Sequence, residues 1–580
     1  MAKRRGKRVP VKRGDHERVL ITETLPFETP IIFSGDGFYT RLKKKSSGDR
    51  VQYDLLERLV LRSTPKQSPV TIPFTYKIRK GTSEFRKLAV LHPAGLCDVH
   101  KFYEKYDEWM IYECNRSPFT LRAPSKISGS FYEKSAWDAI NQFKKGEVTT
   151  ADIEARSRYN PSYFSYKGVT RLYKFFASEE FMDLEKRYGL MRTLDVSRCF
   201  DSIYTHSLSW ALLGKSVAKE NKNAQTSAAV FDELMRNINH GETSGIVIGP
   251  EVSRIFAEII FQTIDLTATR SLERLGRHVD VDYAIRRYVD DIFIFADSTA
   301  AAAQVYECYT DSMALFNLYS NPHKSSLVTR PFVTSRSNVI EKARNLIESF
   351  SGKIFEDYAA KRAYLYPATI WRTDRTTMEF ISAVKSICFE AKAVYPDVSS
   401  YMISALCERI KRLVKRKKAF SSKEQEQYRV VASVLLRVMF FLYTVAPSVN
   451  SSYRLAVGVT LLLRFFRQRI PLQVGVIEQA IYSEALRFLE AEARHKSATL
   501  STFVSLEAIN VLLVIRELGD GYLIPVSLVE ALFVSQTEPE KCSDRCYFDI
   551  MTCLFTSKAG PNIARLRMPL KSNLRTDLII

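Results

Sequence analysis

Two short acidic segments are the residues of this chain best suited to chemistry at phosphorus. The first is Met191-Arg-Thr-Leu-Asp195-Val-Ser-Arg-Cys-Phe200-Asp201. The second is Arg286-Arg287-Tyr288-Val289-Asp290-Asp291-Ile292-Phe293-Ile294-Phe295. Its two β-rich arms flank an Asp-Asp pair and predict a hairpin with both carboxylates at the tip. Asp is common in turns for local reasons alone. Adjacent carboxylates repel, however, and need solvent or a cation to offset the repulsion. A β-like run ends at Asp195, and a helix is expected after Phe200. The 95-residue separation of Asp195 and Asp290 leaves room for a helical insertion and a return to a neighbouring strand. Hard divalent cations such as Mg2+ take oxygen ligands and keep several waters. Two such ions about 4 Å apart, bridged by Asp195 and Asp290, would clamp an in-line displacement. One would lower the pKa of an attacking 3′-hydroxyl, and the other would stabilise departing pyrophosphate.

Further segments stand in order around these two. Ser244-Gly-Ile-Val-Ile-Gly249-Pro250 runs into an amphipathic helix, and its glycines permit close backbone approach to a base pair or sugar. The same pattern also suits an ordinary loop with Pro in the first helical turn. After the hairpin comes Asn321-Pro-His-Lys324, where Lys324 could donate a proton or balance pyrophosphate charge. An isolated Lys is more often simply solvated. Upstream, Tyr76-Lys77-Ile-Arg79-Lys80 and Arg86-Lys87 form a basic stretch suited to phosphate oxygens, or to a charged β-hairpin.

The elements that must position these residues follow from composition and periodicity. The 580 residues are 46% hydrophobic and 26% charged, near globular averages, which excludes a mostly disordered or collagen-like chain. The net charge of +21 points to a polyanionic partner, nucleic acid or acidic membrane. The first 18 residues carry eight Lys/Arg and no apolar run follows, so they are not a secretory signal. They read as a solvated tail or a nucleic-acid arm. Val430–Val445 is the most apolar stretch, but Arg437 interrupts it, which favours a buried helix over a membrane span. The nine cysteines are odd in number and scattered, as expected of reduced thiols in a cytoplasmic protein, and Cys542 and Cys546 form only a lone C-x3-C.

Between residues 192 and 327 β and α patterns alternate. Beyond about 370, helical periodicity takes over at Glu379–Ala391, Ser399–Val414, Glu424–Tyr443, Tyr453–Phe466, Val476–Ala493 and Leu500–Leu518. The run from Glu408 to Lys418 holds seven basic residues. It suits a solvated helix face or a phosphate-contacting ridge.

In this order the segments resemble motifs A, B, C and D of a polymerase palm, over about residues 70–330, and the chain is similar to reverse transcriptases. The resemblance implies an α+β right-hand fold of fingers and palm followed by an all-α domain in place of a thumb. The expected layout is an N-terminal arm and extension at 1–40, fingers at 41–190, palm at 191–370 and helical domain at 371–580. It implies catalytic Asp195, Asp290 and Asp291, metal ligands Asp195, Val196, Asp290 and Asp291 for two Mg2+ ions (Mn2+ as substitute), and nucleotide contacts from Lys77, Lys80, Arg86, Phe200, Gly249 and Lys324. A bulky aromatic at Phe200 packs under the sugar in such enzymes and favours dNTPs.

Departures narrow the match. Ser244 stands where Gln is usual and Val247 where Pro is usual, and no RNase H or endonuclease segment is evident. The segments Leu91-His92-Pro93, Ser117-Pro-Phe-Thr-Leu-Arg122 and Ser202-Ile-Tyr204-Thr-His206, with the helical C-terminal region, resemble the abortive-infection and unknown-group bacterial enzymes of phage defence. The stretch from Thr22 to Phe38 resembles the second polymerase subunit of type 3 defence-associated systems. That resemblance implies DNA synthesis that need not copy a nucleic-acid template, a noncoding RNA, a companion reverse transcriptase, oligomers and no membrane. Without a template, side chains such as Glu23 and Glu28 would have to select bases. An intron-type enzyme copying RNA and a catalytically idle RNA-binding scaffold are the competing readings.

Overall fold

The structure is a computed structural model that describes residues 8–23, 29, 39, 70–79, 85–132, 162–169, 172–221, 225–332, 335–356, 358, 364–415, 420–499, 504–519 and 521–533. Lys80, Glu28, Cys542 and Cys546 lie outside the described residues.

The described part of the basic arm is folded. Strand β1 (Arg8–Pro10) pairs antiparallel with β5 (Ser130–Tyr132). Arg18 is buried and its Nη1 donates to the Ser128 carbonyl at 2.7 Å, with the guanidinium over the Tyr163 ring. This arginine therefore serves the fold and is not a phosphate contact.

Strands β2 (Phe74–Arg79) and β3 (Phe85–Val90) form an antiparallel hairpin. Helix α1 (Pro93–Glu113) follows, with Pro93 in its first turn and the His92 ring accepting from the Ala94 amide at 3.1 Å. Strands β4 (Arg122–Ile127) and β6 (Phe164–Gly168) pair with each other. The central sheet has four antiparallel strands in the order β10 (Ser326–Thr329), β7 (Leu190–Asp195), β9 (Asp291–Ala296), β8 (Tyr283–Tyr288). Ile292, Ile294 and Phe295 are completely buried, so β9 is an interior strand covered on both faces. Helices α2 (Glu251–Arg274) and α3 (Thr299–Ala314) pack in the same core, which also takes in α1.

Downstream, the described residues form α4 (Ser335–Ile354), α5 (Thr373–Glu390), α6 (Tyr395–Leu413), α7 (Ser422–Val445), α8 (Val449–Arg469), α9 (Val474–Thr499), α10 (Leu506–Arg516) and α11 (Val526–Phe533). The expected helices are present, most extended by several residues at one or both ends. Ser421 and Glu424 form a capping box that starts α7 two residues before the expected point. The sixth helix is shorter than expected, because Ser505 accepts from the Ala508 amide and starts α10 at Leu506. Helix α7 is long and apolar enough to cross a membrane by length and composition, and 61% of that stretch is buried within the fold. Its interrupting Arg437 pairs with Asp374 of α5.

The hairpin β2–β3 roots the two halves together. Tyr76, Leu88 and Val90 join the apolar core of the C-terminal helices, whereas Ala89 belongs to the core of the central sheet. Arg79 reinforces the junction. Its Nη2 meets Glu492 Oε1 at 2.5 Å and its amide donates to Glu507 Oε1 at 3.1 Å. Burial pushes the Glu507 carboxyl up to about 7. Removing one partner of a largely desolvated pair costs about 3 kcal/mol because the other charge is stranded. Arg79→Met should therefore lower the unfolding temperature, and Glu492→Gln in that background should recover part of the loss. An unchanged melting curve for Arg79→Met would remove the pair from the junction.

Candidate active site

Register brings the acidic segments together. In the antiparallel pairing of β7 with β9, Asp195 lies directly opposite Asp291. Asp290 sits in the tight turn between β8 and β9, so one carboxylate is at the tip and the other opens the strand. Asp195, the last residue of β7, is followed by a short helical turn, Cys199–Ser202, that already contains Phe200.

The electrostatics are unbalanced by design of the fold. Partial burial, then the nearby Asp195 charge, push the Asp290 carboxyl above the usual range, while Arg86 and Lys324 pull it back. Lys324 Nζ lies 2.9 Å from Asp195 Oδ2, and Asp195 in turn holds the ammonium above its ordinary pKa. The Asn321 amide donates to the Asp195 carbonyl at 2.7 Å, which fixes the Asn321–Lys324 segment against the end of β7. Lys324 is thus more than a solvated surface lysine.

The glycine-rich loop is stitched to the same place. The Ile246 amide donates to the Phe200 carbonyl and the Gly245 amide to the Ile203 carbonyl, both at 2.9 Å. Gly249 has φ of 132°, and an added Cβ would lie 2.8 Å from the Ala89 carbonyl of β3. Only glycine fits that approach. Phe200 is nearly buried and packs in the same core as Ile246 and Val247. Helix α2, which begins immediately after, is anchored by Glu251. Burial would raise that carboxyl, but Arg122 and Arg254 outweigh it and hold it at about 2.

The basic residues of the β2–β3 hairpin separate. Lys77 pairs across with Lys87, whereas Arg86 pairs with Ile78, so the pleat sends Lys77 and Arg86 to opposite faces. Arg86 is the one whose charge reaches Asp290. Glu23 is also reassigned. It is buried, its Oε2 accepts from the Val252 amide at 2.8 Å, and its carbonyl accepts from the Glu251 amide at 3.0 Å, so it caps α2. In the basic run after Glu408, Arg409 binds Glu348 and the Tyr358 hydroxyl, and Lys411 binds Glu408. Those two charges are spent within the fold.

Residues 140–365, which hold all three aspartates, Phe200, Gly249 and Lys324, match the family described as reverse transcriptase (RNA-dependent DNA polymerase). Over these residues the chain is similar to a reverse transcriptase domain. Comparison with curated proteins gives no match. Among solved structures, apo telomerase from Candida tropicalis is similar at 12% identity and a TM-score of 0.29, over 78% of this chain and 70% of that one. Telomerase from Candida albicans with a fragment of telomeric RNA is similar at 11% identity and a TM-score of 0.28, over 79% and 73%. A C-terminally truncated C. tropicalis telomerase gives 14% identity and a TM-score of 0.28, with 47% of this chain spanning about half, 52%, of that one. The α+β region with the matched residues 140–365 is followed by a helical C-terminal region.

Reverse transcriptase domains generally use divalent metals such as Mg2+, and the donor set here fits such an ion. Among the described residues no three Asp, Glu, His or Cys side chains are gathered as a ligand cage. Two carboxylates, Asp195 and Asp290, lie near enough for their charges to interact, and Val196 offers only a main-chain oxygen. Mg2+ is bound in this sparse way, by one or two carboxylates with water and substrate phosphates completing the shell.

The raised Asp290 pKa has a definite sign in two measurements. Its folded value lies above the unfolded one, so the stability carried by its protonated form is lost as pH rises through the folded value. Asp290→Asn should therefore raise the melting temperature at neutral pH without divalent metal. Lys324→Met removes a cation that favours ionised Asp290, so the acid limb of the pH–rate profile should move to higher pH. A limb that stays put or moves down would show that Lys324 does not govern Asp290.

Proposed function

We propose that this chain is a Mg2+-dependent DNA polymerase of reverse transcriptase type that builds DNA from dNTPs in bacterial antiphage defence. The observation that carries the reading is the β7–β9 register, which sets Asp195 beside the Asp290-Asp291 turn within the matched region. Asp195 and Asp290 would hold the ions with the main-chain oxygen of Val196, and Asp291 would complete the acidic face. When bound, the two ions (Mg2+, or Mn2+ in its place) activate the 3′-hydroxyl and stabilise pyrophosphate. In this reading Lys324 moves from Asp195 to the phosphates. Arg86 reaches the triphosphate as a planar fork that binds two oxygens at once, and Lys77 and Lys80 bind the template or product backbone. Phe200 packs under the sugar, where a 2′-hydroxyl has no room, and Gly249 lets the backbone approach the nucleotide.

Fingers at 41–190, palm at 191–370 and helical domain at 371–580 are the working division. The resemblance of segments such as Leu91-His92-Pro93 to defence enzymes is the ground for reading a cytoplasmic role away from membranes. It also supports a noncoding RNA, a companion reverse transcriptase, an oligomeric assembly and synthesis that need not copy a nucleic-acid strand.

Purified protein should incorporate labelled dNTPs with Mg2+, and Asp290→Asn should lower the rate by at least ~10³-fold, the scale of losing a group essential to phosphoryl transfer. Phe200→Ala should relax discrimination against rNTPs. Sequencing the product with and without co-purified RNA tests template use, since a product sequence that follows the RNA would favour the RNA-copying reading. Full incorporation by Asp290→Asn would sink the polymerase assignment.

A further inference from the structure

The active-site turn is strained, and a single buried cation holds it. Val289, immediately before Asp290, has φ of 58°. The left-handed region costs a β-branched residue on the order of 1–3 kcal/mol, and it persists only where the surroundings over-determine it. The Val289 carbonyl accepts a hydrogen bond from Arg287 Nη1 at 3.3 Å.

Arg287 cannot shift. It is completely buried. Its Nη1 also donates to Glu258 Oε2 at 2.8 Å, and its Nη2 to Glu258 Oε1 and Asp265 Oδ2, both at 2.9 Å. Its Nε donates to the two Asp265 oxygens at 3.2 Å. The carboxylates are fixed in turn. The Tyr309 hydroxyl donates to Asp265 Oδ1 at 2.7 Å, and Gln262 Nε2 donates to Glu258 Oε1 at 2.7 Å. The Gln262 carbonyl oxygen takes the Ser117 amide proton. The Arg287 main chain is clamped by the segment after Ser117, with its amide donating to the Phe119 carbonyl at 2.8 Å and its carbonyl accepting from the Leu121 amide at 2.7 Å.

We propose that Arg287 is a positioning residue, which holds the Val289 carbonyl so that the turn keeps its left-handed shape and Asp290 stays beside Asp195. Glu258 and Asp265 lie on α2, the helix that the Gly249 loop leads into, so one helix sets both the loop and the metal-binding turn. The inference rests on the polymerase reading only for its kinetic arm.

The test uses the full chain and Mn2+ alone, titrated by electron paramagnetic resonance, beside single-turnover dNTP incorporation. Arg287→Lys keeps the charge but loses the fork. It should weaken Mn2+ binding about tenfold and slow incorporation about 10–100-fold, the range seen when groups behind metal ligands are altered, while the KM for dNTP changes little. Adding Val289→Gly should recover at least half of the loss on a logarithmic scale, because glycine adopts that φ unaided. Wild-type Mn2+ affinity in Arg287→Lys, or a loss that Val289→Gly leaves untouched, would overturn the proposal. If Arg287→Lys does not fold, Glu258→Gln must show a weaker version of the same loss and the same recovery, and its absence overturns the proposal equally. A wild type that binds Mn2+ but incorporates no nucleotide defeats the polymerase reading alone, because the Mn2+ titration still judges Arg287.

Discussion

Two like charges held close together, Asp195 and Asp290, are the constraint around which this fold is organised. The pairing of β7 with β9 brings them together, and desolvation sharpens their repulsion. Lys324 and Arg86, the latter on the β2–β3 hairpin, both lessen it. A site that is electrostatically uncomfortable when empty favours a cation when offered one. The stability given up locally is recovered in the interior strands and in α2, where burial of each large apolar side chain contributes about 1.5–3 kcal/mol.

The cost of keeping such a site is visible in the layers behind it. Arg287 with Glu258 and Asp265 forms a buried cluster that an apolar core would not need. Buried ion pairs of this kind seldom add net stability over well-packed apolar groups. Their use here is geometric, since a guanidinium with all its protons engaged has one orientation only. The segment from Ser117 to Arg122 gains a purpose in the same arrangement. It adds main-chain hydrogen bonds along β8 at Arg287 and supplies Arg122 to Glu251.

Much of this was legible in the residues. The spacing of Asp195 and Phe200, the Asp-Asp turn and the Asn321–Lys324 segment mark the site because carboxylates and backbone turns leave local signatures. The C-terminal helices were legible because apolar periodicity is also local. Arg287 was not, because its neighbour Arg286 makes the pair look like an exposed basic dipeptide, and only the tertiary position of α2 separates their fates. The same limit applies to charge. Arg18, Arg79 and Arg409 read as part of a nucleic-acid footprint, yet each is held by groups distant in sequence. Lys77 and Arg86 read as one patch until strand register set them on opposite faces.

Strand β3 has alternate residues in two different cores. Leu88 and Val90 face the helices, and Ala89 faces the central sheet. A wall shared by two rooms belongs to neither. Cutting the chain near residue 370 would remove most of the core that Tyr76, Leu88 and Val90 join, and a one-residue slip of β3 would turn both interiors inside out. The half that holds the three aspartates is therefore not a separable module. Its division into parts is a matter of chain order, and in space the C-terminal helices are a structural wall of the β2–β3 hairpin.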